Sequence, residues 1–554
     1  MRVLFQNILA GRVPVSQKTR LIMGLCLAVL GSLLLDSAGF AASASELRFP
    51  GWFTDHMVLQ RDKQIPVWGW AKSGDNVKVQ LGDETQMAKA DFTGRWRVSF
   101  SPRPAGGPFA LSVVSGSTIK VSDVLIGDVW LVSGQSNMQI PVKNGTGAEE
   151  TITTSQDDKL RLVHINERPS YLPQDDVKGQ WLPATPKNVP VFSCVGYAFG
   201  RKLREELKDV PIGLIQAPVG STCAEAWLSR DDLEHNKAFA HYAKDLDATA
   251  EKFPEMKQGM ETLGRKWLKI HQEQIQANQN FQAGQIKIRP SFPDVPLPRK
   301  VPALMYNGMI HPLIPYAIRG VIWWQGGANA VPVEKALEYR QLFPYLMQCW
   351  RKEWGQGDFP FIFAEEPTLK RAYWKPGLMI VREAQLMTAQ KVPNTAVIVV
   401  SDLRNDADPQ LIHFPQKPPV GQRMALAALA IEYKKPVVYY GPMFDPQKTR
   451  VEGNKIRIGF THVESGLVAR KGSLEDFLVA GEDQRFGKAH AEIDGDTVVV
   501  WADNVARPKA VRYDWDDWTG ATLMNKDGLP ASPFRTDDWP IGDFRASKGK
   551  PDTE

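Results

Sequence analysis

From Leu47 to about Val124, hydrophobic and polar positions alternate. Val77, Val79 and Leu81 are interleaved with Asn76, Lys78 and Gln80, and Trp96, Val98 and Phe100 repeat the pattern. Successive side chains of a strand point to opposite faces, so period-two alternation marks strands with one buried face. Ser73-Gly74-Asp75 and Thr93-Gly94 supply turns between the runs. The spacing predicts an amino-terminal β-sandwich over residues 45–125.

The texture changes at Gly127. Residues 128–134 (DVWLVSG), 210–218 (VPIGLIQAP), 319–326 (RGVIWWQG), 359–365 (FPFIFAE) and 394–402 (NTAVIVVSD) are short apolar runs with little alternation. Strands covered on both faces read this way. Helical patterns separate them. Val195, Phe199, Leu203 and Leu207 recur every four residues with charged residues between, and a second helix is expected after Pro418-Pro419. Alternating strands and helices predict an α/β domain over 126–433 with a doubly wound, mainly parallel sheet. A polar, Gln- and Lys-rich stretch at about 231–300 reads as a helical insertion within it, either a solvated excursion or a lid. Alternation returns with Ile456, Ile458, Phe460, Val498 and Val500, so residues 434–540 form a β-rich module; 541–554 are a tail.

Residues 21–35 form an apolar run preceded by Arg2, Arg12, Lys18 and Arg20 and followed by Ala42-Ser43-Ala44. That is the three-part build of a secretory signal, with residues 1–44 removed and the mature chain periplasmic or secreted. A membrane anchor is the competing reading, but the run falls short of the roughly 20 residues a spanning helix needs, so no stable membrane insertion is expected after cleavage. The formal net charge of +5 owes much to this segment, and the near-neutral remainder gives no electrostatic case for a nucleic-acid partner. Cys194, Cys223 and Cys349 are too few for a disulfide framework and read as small buried hydrophobes. The nine histidines show no HxH or HExxH spacing, which leaves a zinc site with little support.

In open α/β sheets functional groups gather beyond the carboxyl ends of the strands. Ser133-Gly134-Gln135-Ser136-Asn137-Met138 places a hydroxyl in a tight strand-to-helix turn, where a helix amino terminus favours developing negative charge. Taken alone, such a serine equally suits a helix cap, and the GxSxG spacing is absent. Ala217-Pro218-Val219-Gly220 aims a Gly220 N–H at the same region, Trp324-Gln325-Gly326-Gly327-Ala328-Asn329 adds an amide, and Leu411-Ile412-His413 adds an imidazole. A hydroxyl, a base and several N–H donors are the parts that acyl transfer requires.

These segments resemble the four blocks of SGNH-type hydrolases and, more narrowly, the sialate O-acetylesterase family. FTDHMVLQRDKQIPVWGWA (53–71), GDVWLVSGQSNMQIPV (127–142), AEAWLS (224–229), LMYNGMIHPLIPYAIRGVIWWQGGANA (304–330), YRQLFPYLMQCWRKEWGQGDFPF (339–361), VREAQL (381–386), SGLVAR (465–470) and NKDGLPASPFRTDDWP (525–540) follow in family order. The resemblance implies a flavodoxin-like sheet domain between the two β modules, and de-O-acetylation of sialic acid or a related glycan with no metal or organic cofactor. It implies Ser136 as nucleophile, His413 as general base and later acid, and Ser136 N–H, Gly220 N–H and Asn329 as oxyanion hole. Gln135, Gln325, Arg382 and Glu383 are candidates for substrate binding, and the partner is an O-acetylated carbohydrate.

Two departures stand out. The family pattern Gln-Gly-Glu-Ser-Asn becomes Gln325-Gly326-Gly327-Ala328-Asn329, losing a carboxylate. Glu365 and Glu366 either restore that charge or form a loop feature with one member solvated. The positions where relatives carry the acid that orients the histidine are Gln410 and Leu411. Asp402, at the end of the last predicted strand, ranks first as a substitute, ahead of Asp406, Asp408 and a backbone carbonyl. Trp227, Trp323 and Trp324 are sugar-stacking candidates, although core packing is the plainer reading. The departures admit a non-catalytic glycan-binding homologue as rival, and fold alone also allows an acetylesterase of plant polysaccharide such as xylan.

Overall fold

One strand, β7 (Ser117–Gly134), belongs to two sheets at once. Its first half is paired with the alternating amino-terminal strands and its second half is the centre of the parallel sheet. In the computed structural model, which describes residues 47–252, 298–370 and 376–541, no break falls at residue 126. Residues 1–44, expected to be an export signal, most of the expected insertion and the tail beyond Ile541 lie outside the described residues.

The amino-terminal strands are β1 (Val58–Gln60), β2 (Ile65–Trp70), β3 (Asn76–Leu81), β4 (Glu84–Lys89), β5 (Arg95–Phe100) and β6 (Gly106–Ser115). Strands β3 and β5 bury alternate residues, as the sequence predicts. β4, β3 and β6 pair antiparallel up to β7, β1 runs parallel to β7, and β2 pairs with β5 in a separate two-stranded sheet.

The central sheet adds β8 (Asp157–Ile165), β9 (Gly179–Ala184), β10 (Ile212–Gln216), β11 (Gly320–Trp324), β12 (Phe361–Ala364) and β13 (Thr395–Ile398). Its order is β13-β12-β11-β7-β10-β8-β9, parallel throughout except for the β8–β9 pair. β10 to β13 are buried at every position, which explains their unalternating sequences.

The helices are α1 (Ser136–Gln139), α2 (Ala148–Thr153), α3 (Cys194–Leu207), α4 (Arg230–His235), α5 (Ala240–Lys252), α6 (Val333–Trp354), α7 (Gly377–Lys391) and α8 (Pro418–Ile431). Helices α3 and α8 pack on one face of the sheet, where Val195, Phe199 and Leu203 meet Val420, Met424 and Ala428 in a shared core. Helix α8 starts at the proline pair itself, since a first-turn proline forfeits no hydrogen bond. On the opposite face α6 and α7 join the amino-terminal strands in a second core. Beyond residue 442 the chain is β-rich, and Ile456, Ile458, Phe460, Val498 and Val500 line a third core. Among the described residues, Cys194, Cys223 and Cys349 are free and buried, and desolvation pushes the Cys194 and Cys223 thiols up to about 12.

Candidate active site

The carboxyl ends of β7, β10 and β11 lie side by side, and each leads into a block of polar residues. Gly134 closes β7 at φ +128°, and a Cβ there would stand 2.3 Å from the Trp324 carbonyl oxygen. Only glycine lets the two strand ends approach so closely. The Gln135 N–H then donates to that same carbonyl at 2.7 Å, and the chain turns into α1 at Ser136. This helix is a single turn, so its dipole is small; stabilisation of negative charge here falls to discrete N–H donors.

His413 lies 277 residues further on, in the loop before α8, yet its Nε2 is 2.8 Å from Ser136 Oγ. The loop is pinned immediately after the histidine. Phe414 is buried against Trp324, with ring centroids 5.9 Å apart. Lys417, buried beneath, donates from Nζ to Asn137 Oδ1 at 2.7 Å, binding the histidine loop to the residue that follows Ser136. His413 itself remains exposed.

Gly220 follows β10. A Cβ on it would lie 3.4 Å from Ser136 Cβ, so its backbone borders the hydroxyl. The loop is tied at both ends: Val219 N–H donates to the Gly134 carbonyl at 3.0 Å, and Thr222 Oγ1 donates to the Val219 carbonyl at 2.8 Å. Asn329 is fully buried. Its Oδ1 accepts from Ala224 N–H at 2.9 Å and Gln325 Nε2 at 2.7 Å, while its Nδ2 donates to Glu225 Oε2 at 2.8 Å. Lys335 pairs with the other Glu225 oxygen at 2.7 Å and neutralises it.

Several expectations are corrected. Asp402 does not orient His413: its two carboxylate oxygens accept from Arg423 at 2.7 and 2.6 Å, an ion pair that fastens the end of β13 to α8. Arg382 and Glu383 are internal ties, not substrate ligands. Arg382 is buried and donates to Asp514 at 2.5 Å and Ser401 at 2.9 Å; Glu383 is bound by Arg340 and by Arg535, the latter at 2.5 Å. Gln325 and Gln135 are buried as well. Gln325 braces Asn329, and Gln135 lies against Gly327. Trp227, Trp323 and Trp324 are fully buried and offer no stacking face.

Glu365 and Glu366 are both buried, so neither is solvated. Glu365 accepts from Val400 N–H, Ser401 N–H and Ser401 Oγ at 2.9, 3.2 and 2.7 Å. Glu366 Oε2 lies 2.8 Å from the point a Cβ on Gly327 would occupy. Its carboxyl therefore fills the place of the side chain that Gly327 lacks. Burial pushes it up to about 7, with the Gly327 amide and Lys417 opposing. Sequence reasoning missed Lys417 and Phe414; their closeness to His413 in a His-Phe-Pro-Gln-Lys run was the available signal.

Residues 126–259 and 303–430 match the family described as carbohydrate esterase, sialic acid-specific acetylesterase. A carbohydrate acetylesterase from Xanthomonas citri, known as a crystal structure, is 34% identical, with a TM-score of 0.75 over 89% of this chain and 100% of that one. The sialate O-acetylesterases of Mus musculus and Homo sapiens are each 28% identical, over 91% and 93% of this chain and 97% and 96% of their own lengths. The chain thus belongs to the carbohydrate esterase family of sialic acid-specific acetylesterases and is a carboxylic ester hydrolase.

Proposed function

We propose that this protein removes O-acetyl groups from sialic acid or a closely related glycan through an acetyl-enzyme on Ser136. The observation that carries the reading is the 2.8 Å contact between Ser136 Oγ and His413 Nε2, the reach a general base needs. Ser136 Oγ attacks the acetyl carbonyl carbon while His413 Nε2 takes its proton, and the carbonyl π pair moves onto oxygen. The N–H groups of Ser136 and Gly220, with the Asn329 amide hydrogen not committed to Glu225, hold that oxyanion. Collapse breaks the bond to the sugar oxygen, which receives the proton from His413 and leaves as an alcohol. Water, deprotonated by the same nitrogen, attacks the acetyl-serine; acetate departs and Ser136 Oγ regains its proton.

The substrate class rests on family membership and on relatives named for sialate O-acetyl esters. In this reading the central sheet is an SGNH-type, flavodoxin-like catalytic domain between an N-terminal β-sandwich and a C-terminal β-rich module, and residues 1–44 deliver the protein to the periplasm or outside the cell. The test gives purified protein 4-nitrophenyl acetate, O-acetylated sialic acid and acetylated xylan, alongside Ser136→Ala and His413→Ala. Release of acetate from the sialic acid ester, lost in both variants, is expected. Equal turnover by all three proteins would overturn the serine mechanism, and preference for xylan would overturn the substrate.

A further inference from the structure

The Gly220 N–H is already occupied. It donates to Oε1 of Gln139, the last residue of α1, at 3.2 Å. The two partners differ in freedom. Gly220 lies in a loop tied to β7 by Val219 and closed on itself by Thr222, whose carbonyl in turn accepts from Gln325 Nε2 at 3.1 Å. Ser221, next in the chain, is held at φ +64°, a left-handed conformation that side chains rarely adopt. The donor is thus rigidly aimed. Gln139 is partly exposed and carries a long side chain, and Gly220 is the one polar contact that its amide makes among the described residues. Its carbonyl oxygen sits 3.3 Å from the point a Cβ on Gly220 would occupy, and the Ser136 Cβ is 3.4 Å from that same point. An amide oxygen is therefore lodged beside the nucleophile, on an N–H that an oxyanion hole would use.

We propose that Gln139 is a displaceable gate on the oxyanion hole: its side-chain carbonyl stands in for the ester carbonyl on Gly220 N–H, and an acyl group must evict it to react. This inference rests on the reading of Gly220 as an oxyanion donor. The resting amide satisfies a buried N–H that would otherwise be orphaned. It also competes with any acyl oxygen, so Gln139 sets the apparent affinity for the acetyl group. Substrates with stronger acceptors, or oxyanion mimics such as a boronic acid, displace it more readily.

The experiment compares wild type with Gln139→Ala, Gln139→Met and Gln139→Glu on 4-nitrophenyl acetate, with phenylboronic acid as inhibitor. Alanine and methionine remove the competing acceptor, methionine while keeping side-chain length, so each is expected to lower KM and the boronate inhibition constant by about threefold to tenfold. Glutamate presents a stronger, ionisable acceptor; its KM is expected to rise with pH through the carboxyl titration, a dependence wild type does not share. A higher KM in both neutral variants, or a pH-independent KM in Gln139→Glu, would make Gln139 a brace for the loop and overturn the gate. Ser136→Ala separates the two readings: if it abolishes turnover while all Gln139 variants match wild type, the gate alone fails. If it retains turnover, the serine mechanism fails.

Discussion

Lys417 Nζ donates to Asn137 Oδ1 across 280 residues of sequence, at 2.7 Å, and so binds the histidine loop to the serine turn. The lysine is fully buried, and desolvation holds its pKa well below the usual ammonium range. The ring centroids of Phe414 and Trp324 lie 3.6 and 4.5 Å from the nitrogen. A group buried at such cost, with Asn137 its one side-chain acceptor among the described residues, serves registration: it sets where His413 stands relative to Ser136. Lys417→Met keeps the volume and removes the tie. The expected result is a fall in kcat of about tenfold to a hundredfold with KM little changed, since a misplacement of about 1 Å costs that much. Steady-state kinetics on a variant shown folded by its thermal transition checks it.

Glu366 makes stability depend on pH. Its folded-state pKa is raised from 4.5 to about 7 by burial. Between those values the folded protein binds more proton than the unfolded chain, so stability falls as pH rises from about 4.5 to about 7 and stays low above it. Glu366→Gln removes the titration. The variant is expected to gain on wild type as pH increases, by on the order of 1–3 kcal/mol between pH 4.5 and pH 8. Thermal or urea unfolding at several pH values measures the gap, and a constant gap would refute the assignment.

Gly327 and Glu366 share one space, so their substitutions should not add. Gly327→Ala places a methyl group 2.8 Å from Glu366 Oε2 and is expected to cost about 1–3 kcal/mol. Gly327→Glu adds a second buried carboxylate and should cost more. Gly327→Glu with Glu366→Ala moves the carboxylate to the other strand end and is expected to recover at least about 1 kcal/mol relative to the sum of the single changes. A double-mutant cycle in urea tests this.

Asp402 is a structural anion. Asp402→Ala leaves Arg423 without its carboxylate, and breaking a largely buried pair is expected to lower stability by about 3 kcal/mol. Turnover measured well below the melting temperature should fall by less than about tenfold. An acid that oriented His413 would instead cost about 10⁴ in kcat on removal. Parallel melting curves and kcat values separate the two roles.

Much of the fold was legible because periodicity reports burial directly. The unbroken apolar runs of β10 to β13 and the alternation of β3 and β5 each appear as read. The boundary at residue 126 was not legible. β7 crosses it as one strand, because a change from alternating to continuous apolar texture marks only where the second face becomes covered, not where a chain breaks.

By itself the sequence determined the strands and the polar blocks at their ends, a serine in a glycine turn and a histidine before a helix among them, which follow from residue type and local spacing. That the serine and the histidine act as a pair was implied by the family resemblance. Which charged group meets which was decided in three dimensions. Asp402 went to Arg423, Arg382 to Asp514, Glu366 to the space beside Gly327, and Gln139 to the Gly220 N–H. Hydrogen bonds and ion pairs are selected by differences of an ångström between segments far apart in the chain, and no local pattern encodes those distances.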